Sequence, residues 1–220
     1  MNFFSNLFAA PASPVVPSAT VAGAPALSAI PDIAFAGSDP FPALIDGVIG
    51  REGRYSNNPN DSGGETIWGI TIGSARSFGY SGLMTTMSRE QAVEIYRQRY
   101  WLQPHFDKLY AYDTAIATRL LDIGVNAGPS TGVKYLQRAL NVLGDQGKYF
   151  DHIGADGGLG QLTFTALSSY IDARGAMGRK VLLGMIVSQQ SVFYIECSEN
   201  RVQDEDFEYG WQSQRALVLV

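Results

Sequence analysis

The chain has 220 residues, 45% of them hydrophobic and 17% charged, with a formal net charge of −5 and a single cysteine, Cys197. That is enough apolar material for a packed core. It excludes a wholly disordered chain, and one cysteine excludes a disulfide scaffold or a CxxC metal site. Lys and Arg form no basic cluster, so no nucleic-acid partner is expected.

Residues 1–40 read as an extended Pro/Ala-rich arm without a core of its own. Seven of the ten prolines fall within residues 1–42, and the first basic residue is Arg51. A secretory or transit segment needs positive charge at its start, and none is read here. The apolar opening Met1-Asn-Phe-Phe-Ser-Asn-Leu-Phe8 suits an anchor for a partner protein as well as a disordered end.

Folded structure is expected from Phe41. Ala43, Leu44, Ile45, Val48 and Ile49 lie at helical spacing, which predicts a helix over 43–52. Residues 54–66 are dense in turn formers, and Ile67–Ile72 reads as a short strand weakened by Gly69. Ser88-Arg-Glu-Gln91 is a capping box that opens a helix through Trp101. Asp113 caps a helix with Ala117, Leu120, Leu121 and Val125 on its apolar face and Asn126 and Gly128 at its end. Thr131–Leu143 reads as a helix stopped by Gly144, followed by a Gly-rich loop over 144–160. Helices are then expected over 163–173 and 178–199, with a short one near 207–217. The fold class is mainly α: a helical domain with a small loop or β lobe beside the helix that ends near Glu52.

Residues 196–208 hold Glu196, Glu199, Asp204, Glu205, Asp206 and Glu208 against Arg201 alone, and are read as a solvated helix end and loop. Cys197 is read as a buried small residue. His105 and His152 lie far apart and outside HExxH spacing, and Asp156-Gly-Gly-Leu-Gly fails the EF-hand pattern. No metal or other cofactor is expected. No uninterrupted run of 18 apolar residues occurs, so no membrane span is expected.

The chemistry concentrates in residues 51–71. A carboxylate at the end of an apolar helix is desolvated, and the helix dipole opposes its ionisation, so the pKa of Glu52 is expected to rise. Such a glutamic acid can donate a proton to a glycosidic oxygen. The polar turn brings Asp61 and Thr66 back toward the helix end, and a more solvated Asp61 stays ionised. One acid with one base or charge stabiliser is the pair that glycoside hydrolysis commonly uses. Tyr55, Trp68 and Tyr100 offer flat faces for sugar rings, although Tyr100 also fits core packing. A glutamate before a turn is more often structural than catalytic on such grounds alone.

The block Glu52-Gly53-Arg54-Tyr55-Ser56-Asn57-Asn58-Pro59-Asn60-Asp61-Ser62-Gly63-Gly64-Glu65-Thr66-Ile67-Trp68-Gly69-Ile70-Thr71 resembles the signature of glycoside hydrolase family 108. Ile95-Tyr-Arg-Gln-Arg-Tyr-Trp101, Leu121-Asp-Ile-Gly-Val-Asn-Ala-Gly128, Leu136-Gln-Arg-Ala-Leu140 and Asp156-Gly-Gly-Leu-Gly-Gln-Leu-Thr163 resemble later blocks in the same order. Arg54 and Asn58 stand where the family has Gly and Asp. The spacing Glu52-x8-Asp61 matches more distant phage lysozymes, whereas Asp61 to Thr66 is one residue short.

The resemblance implies a lysozyme-like muramidase that cuts peptidoglycan glycan strands. It implies Glu52 as the essential acid, Asp61 as second carboxylate and Thr66 as a water-positioning hydroxyl. Beyond the arm (1–40), it divides the chain into a catalytic region (41–143) and a helical peptidoglycan-binding region packed on the same domain (144–220). Asn126 is read equally as a cleft residue and as the left-handed residue ending its helix. The family further implies a phage or prophage origin and action in the bacterial periplasm or cell wall. The arm adds a virion or tail component, bound to phage structural proteins through residues 1–40, as a competing role. A non-catalytic wall-binding protein is the third reading, and the presence of both Glu52 and Asp61 speaks against it.

Overall fold

The computed structural model describes residues 39–49, 55–57 and 64–218. The arm up to residue 38, the expected helix end at 50–53 with Glu52, and Asp61 lie outside them. The described chain forms two compact units, residues 39–103 and 104–218.

The first unit opens with helix α1, Phe41–Ile49. An Asp39 carboxylate oxygen accepts the Phe41 backbone N–H at 3.1 Å. Phe41, Ile45 and Ile49 are fully buried, an i, i+4, i+8 stripe. The helix therefore starts two residues before the expected Ala43, which is exposed. Arg97 spans this entry, binding Asp39 at 2.5 Å and lying 5.0 Å over the Phe41 ring. Its hydrogen bond holds the Asp39 carboxyl below the usual range.

Strands β1 (Thr66–Ile67) and β2 (Ile70–Thr71) pair antiparallel, Thr66 opposite Thr71 and Ile67 opposite Ile70. Trp68 (φ 55°) and Gly69 (φ 75°) make the connection. Two positive φ values in a two-residue loop give a turn whose twist matches the strands. The single strand expected over 67–72 is thus a tight hairpin folded about Gly69. Thr71 then caps helix α2, Ile72–Ser77, by accepting the Ser74 N–H. After a 3₁₀ turn at Met84–Thr86, helix α3 (Arg89–Arg97) carries the expected capping box, with both Ser88–Gln91 bonds formed. The helix continues as a π-turn, Gln98–Leu102. Its wider turn alters the helical phase, and Tyr96, Tyr100 and Trp101 all become buried.

The second unit contains α4 (Phe106–Tyr112), α5 (Thr114–Ala127), α6 (Pro129–Leu143), α7 (Gln161–Asn200) and α8 (Glu205–Trp211). A 3₁₀ turn, Val202–Asp204, precedes α8, and a π-turn, Gln212–Ala216, follows it. Asp113 caps α5 through the Ile116 N–H at 3.1 Å, and Ala117, Leu120, Leu121 and Val125 are buried as expected. Helix α7 is broken at Gly175 (φ 61°), between the two helices read from the sequence. Beyond the break Gly178, Leu182, Ile186, Gln190, Tyr194 and Ser198 are buried, one every fourth residue. By length and composition α7 qualifies to cross a membrane, although it holds no uninterrupted run of 18 apolar residues. Its polar bonds instead suit a core helix. Gln189 donates to the Tyr135 carbonyl on α6 at 3.0 Å, and Gln190 donates to Asp122 on α5 at 2.7 Å.

The loop between α6 and α7 is pinned by two side chains of α6. Asn141 exchanges two hydrogen bonds with the Ile153 backbone, at 2.8 and 2.9 Å. Gln137, 1% exposed, donates to Asp156 and the Gly158 carbonyl and accepts the Gly157 N–H. The acidic stretch is less uniformly solvated than its composition suggests. Asp204 is 6% exposed and paired with Arg201, and Glu208 accepts from Ser198 and Gln212. Cys197 is half-buried rather than buried, and partial desolvation pushes its thiol pKa up.

Candidate active site

Thr66 sits at the centre of the small lobe. Its backbone pairs on one side with Thr71 and on the other with Ser56, by two hydrogen bonds of 2.8 Å. The Thr66 side chain is 9% exposed, and its hydroxyl donates to the Gly64 carbonyl at 3.2 Å. The hydroxyl proton is therefore committed to the turn, while the oxygen keeps acceptor capacity.

Trp68 occupies a left-handed backbone position that costs a non-glycine residue on the order of 1–2 kcal/mol. Two bonds hold it there. Its indole N–H donates to the Met87 carbonyl at 2.9 Å, and its own carbonyl accepts the Tyr96 hydroxyl at 3.2 Å. The ring is half-buried, anchored at one edge. Tyr55, next to the Ser56 bridge, is 41% exposed. Desolvation and the neighbouring Glu65 carboxylate push its phenol pKa up. Thr66, Trp68 and Tyr55 thus belong to one hydrogen-bonded lobe.

Tyr100 does not fit the expected role of sugar platform. It is 4% exposed and stacked on Tyr96 at 5.5 Å, with the Arg99 guanidinium 5.2 Å from its ring centre. Burial raises its phenol pKa, and a ring enclosed this way packs the core. Asn126 lies in the second unit, 6% exposed, with its amide donating to the Asp122 carbonyl one turn back at 2.6 Å. It is helical; the positive φ at this helix end belongs to Gly128. Asp122 accepts from Gln190 and Arg215, an anchoring role. Glu52 and Asp61 lie outside the described residues.

Beside the hairpin is a small pocket lined by Ile70, Thr71, Ser74, Tyr96, Arg99 and Tyr100 among others. Neither Arg99 nor Ser74 is among the site residues expected from the sequence. A sign is present nonetheless: Arg99 has no acid three or four residues away on either side, whereas Arg97 has Glu94.

Residues 45–128 match the family described as Glycosyl hydrolase 108, and residues 131–216 match the family described as Predicted Peptidoglycan domain. Among solved structures the chain is similar to Brucella abortus SagA, at 24% identity and a TM-score of 0.54, over 81% of this chain and 94% of that one. At that identity the likeness shows the fold. The comparison with curated proteins gives no match. Residues 45–128 thus form a glycosyl hydrolase 108 domain and residues 131–216 a peptidoglycan domain, which makes the protein a lysozyme-type glycoside hydrolase acting on peptidoglycan.

Proposed function

We propose that the enzyme is an N-acetylmuramidase that cleaves the β-1,4 bond between N-acetylmuramic acid and N-acetylglucosamine. Glu52 protonates the glycosidic oxygen as the bond breaks. Asp61 stabilises the oxocarbenium-like state or activates water, and the Thr66 oxygen accepts a hydrogen bond from that water. Trp68 and Tyr55 pack against sugar faces. The observation that carries this reading is the Ser56–Thr66 bridge within the matched hydrolase segment. It joins Thr66, late in the motif, to Ser56, early in it.

The test is a zymogram on purified peptidoglycan with wild type, Glu52→Gln and Asp61→Asn, followed by end-group analysis of the products. Glu52→Gln keeps the shape and loses the donated proton, so activity should drop at least about 10²-fold. Near-wild-type activity in that variant removes Glu52 as the acid. New reducing ends on N-acetylglucosamine instead of N-acetylmuramic acid would assign the other glycosidic bond.

We also propose that the protein is encoded by a phage or prophage and that residues 1–40 carry it to its site through partner proteins. The concentration of prolines in that segment supports this reading, because an extended, preorganised arm spans subunits at low entropic cost.

A further inference from the structure

We propose that Arg99, with the hydroxyls of Ser74 and Thr71, forms a subsite for a carboxylate of the substrate, carried either on the lactyl arm of muramic acid or on its peptide stem. The proposal rests on the reading of peptidoglycan glycan as the substrate and names the group by which this lobe distinguishes it from an uncharged glycan.

The first unit contains four described arginines on α2, α3 and the π-turn, and their partners differ. Arg89 pairs with Asp46, and Arg97 pairs with Asp39 and Glu94. Arg76 is held by the carbonyls of Tyr80 and Gly82. Arg99 has no carboxylate partner among the described residues. Among the described residues it donates from Nη1 to Ser74 Oγ at 2.6 Å, and its guanidinium lies against the Tyr100 ring. Arg99 is half-buried, and none of its nitrogens is a buried atom without a partner among the described residues. A half-buried guanidinium fixed by a hydroxyl and an aromatic face has already lost much of the freedom that binding would cost it.

The pocket gives that fork a place to act. Thr71 Oγ1 lies 3.2 Å from Ser74 Oγ, so two hydroxyls and the guanidinium converge on one wall, with Ile70, Ile95 and Tyr96 forming apolar walls. The pocket has room for about one water-sized group and none for a sugar ring, so a carboxylate meets the guanidinium at the pocket's mouth. Thr71 is the cross-strand partner of Thr66, which sets the pocket beside the hairpin on which Thr66 and Trp68 stand. Arg99 is on the π-turn, where the altered phase turns it toward α2 while Tyr100 and Trp101 enter the core. Carboxylates are the anionic groups of this substrate, and bidentate arginine recognition suits their geometry.

The test compares wild type, Arg99→Met and Arg99→Lys on three substrates. These are intact sacculi, glycan strands stripped of peptide so that the lactyl carboxylate is free, and stripped strands whose carboxyls are converted to methyl amides. Arg99→Met should raise KM about tenfold or more on carboxylate-bearing substrate with kcat little changed, and Arg99→Lys should fall between. A loss on sacculi alone assigns the stem carboxylate, a loss on stripped strands alone assigns the lactyl one, and a loss on both means that the subsite takes either. Equal loss on the methyl-amide strands, or no loss anywhere, overturns the proposal. Binding of a soluble muropeptide and its methyl-amide form, followed by NMR, provides a readout independent of turnover. If wild type binds the charged form preferentially and Arg99→Met does not, the subsite stands even where no muramidase products form; if the two forms bind wild type alike, it falls. Arg99→Lys keeps the charge and the Ser74 contact within reach, so a folding defect in Arg99→Met does not decide the outcome.

Discussion

Replacing Gln137 by Leu should loosen the loop that opens the long helix of the peptidoglycan domain. The Gln137 Nε2 lies 2.8 Å from Asp156 Oδ1, 3.0 Å from the Gly158 carbonyl and 3.1 Å from Thr163 Oγ1, and its Oε1 accepts the Gly157 N–H at 2.9 Å. An amide has two hydrogens, so three acceptors share two donated bonds, and with the accepted one the side chain contributes about three full hydrogen bonds. At about 1 kcal/mol net each, their loss costs about 3 kcal/mol. Leaving the Gly157 N–H without a partner adds to this. The retained Gly158 N–H bond to Asp156 and the bond from the Thr163 hydroxyl to the Gly158 carbonyl subtract from it. The expected destabilisation is about 2–4 kcal/mol, or a fall in Tm of about 5–15 °C for a chain of this size. Thermal melting by circular dichroism measures it, and limited proteolysis should show faster cutting within residues 144–160. Gln137→Glu should be worse at neutral pH, since it sets a second carboxylate against Asp156, and should recover toward Gln137→Leu in acid. A Gln137→Leu protein that melts within the range of a neutral surface substitution, about 0.5 kcal/mol, would refute the view that Gln137 is one of the side chains that pin this loop.

The Asp156 carboxyl is raised by desolvation but lowered more by the Gln137 and Gly158 hydrogen bonds, for a net shift downward. Its small contribution to stability is therefore complete above the ordinary carboxylate range and lost as pH falls through its lowered folded value. Asp156→Asn should flatten that acid limb of a stability profile, and an unchanged limb would place the titration elsewhere. Trp68→Phe keeps an aromatic face but deletes the bond to the Met87 carbonyl, so it should cost about 1 kcal/mol or more in melting experiments and lower turnover more than a surface change does. Full thermal stability with full activity would show that the anchored indole matters to neither. Deleting residues 1–38 should leave hydrolysis of soluble glycan fragments unchanged and abolish co-purification with phage particles; lost hydrolysis would mean that the arm serves the catalytic fold itself.

Local chemistry was legible in the sequence wherever one short segment decides it. The Ser88–Gln91 capping box, the Asp113 cap and the buried face of α5 follow from hydroxyl or carboxylate groups and apolar spacing within a few residues. The break near residue 175 was readable too, because glycine interrupts the helix there. The residues of the matched hydrolase block were also visible as a motif, since they lie in one short stretch of chain.

Other features belong to tertiary structure because their partners are distant or their geometry departs from a regular period. No periodicity shows that Trp68 takes a positive φ, since the carbonyl of Met87 and the hydroxyl of Tyr96 hold it there from 19 and 28 residues away. The π-turn breaks the helical phase after Arg97, so Tyr100, readable as an open platform, becomes enclosed while Arg99 reaches Ser74. Asp204 sits in an acidic run that composition reads as solvated, yet packing buries it beside Arg201. Composition and spacing determine which groups a segment carries. Which of them meet water and which meet each other is decided only when segments far apart in the chain close over them, because burial and hydrogen-bond partnership are properties of the packed unit.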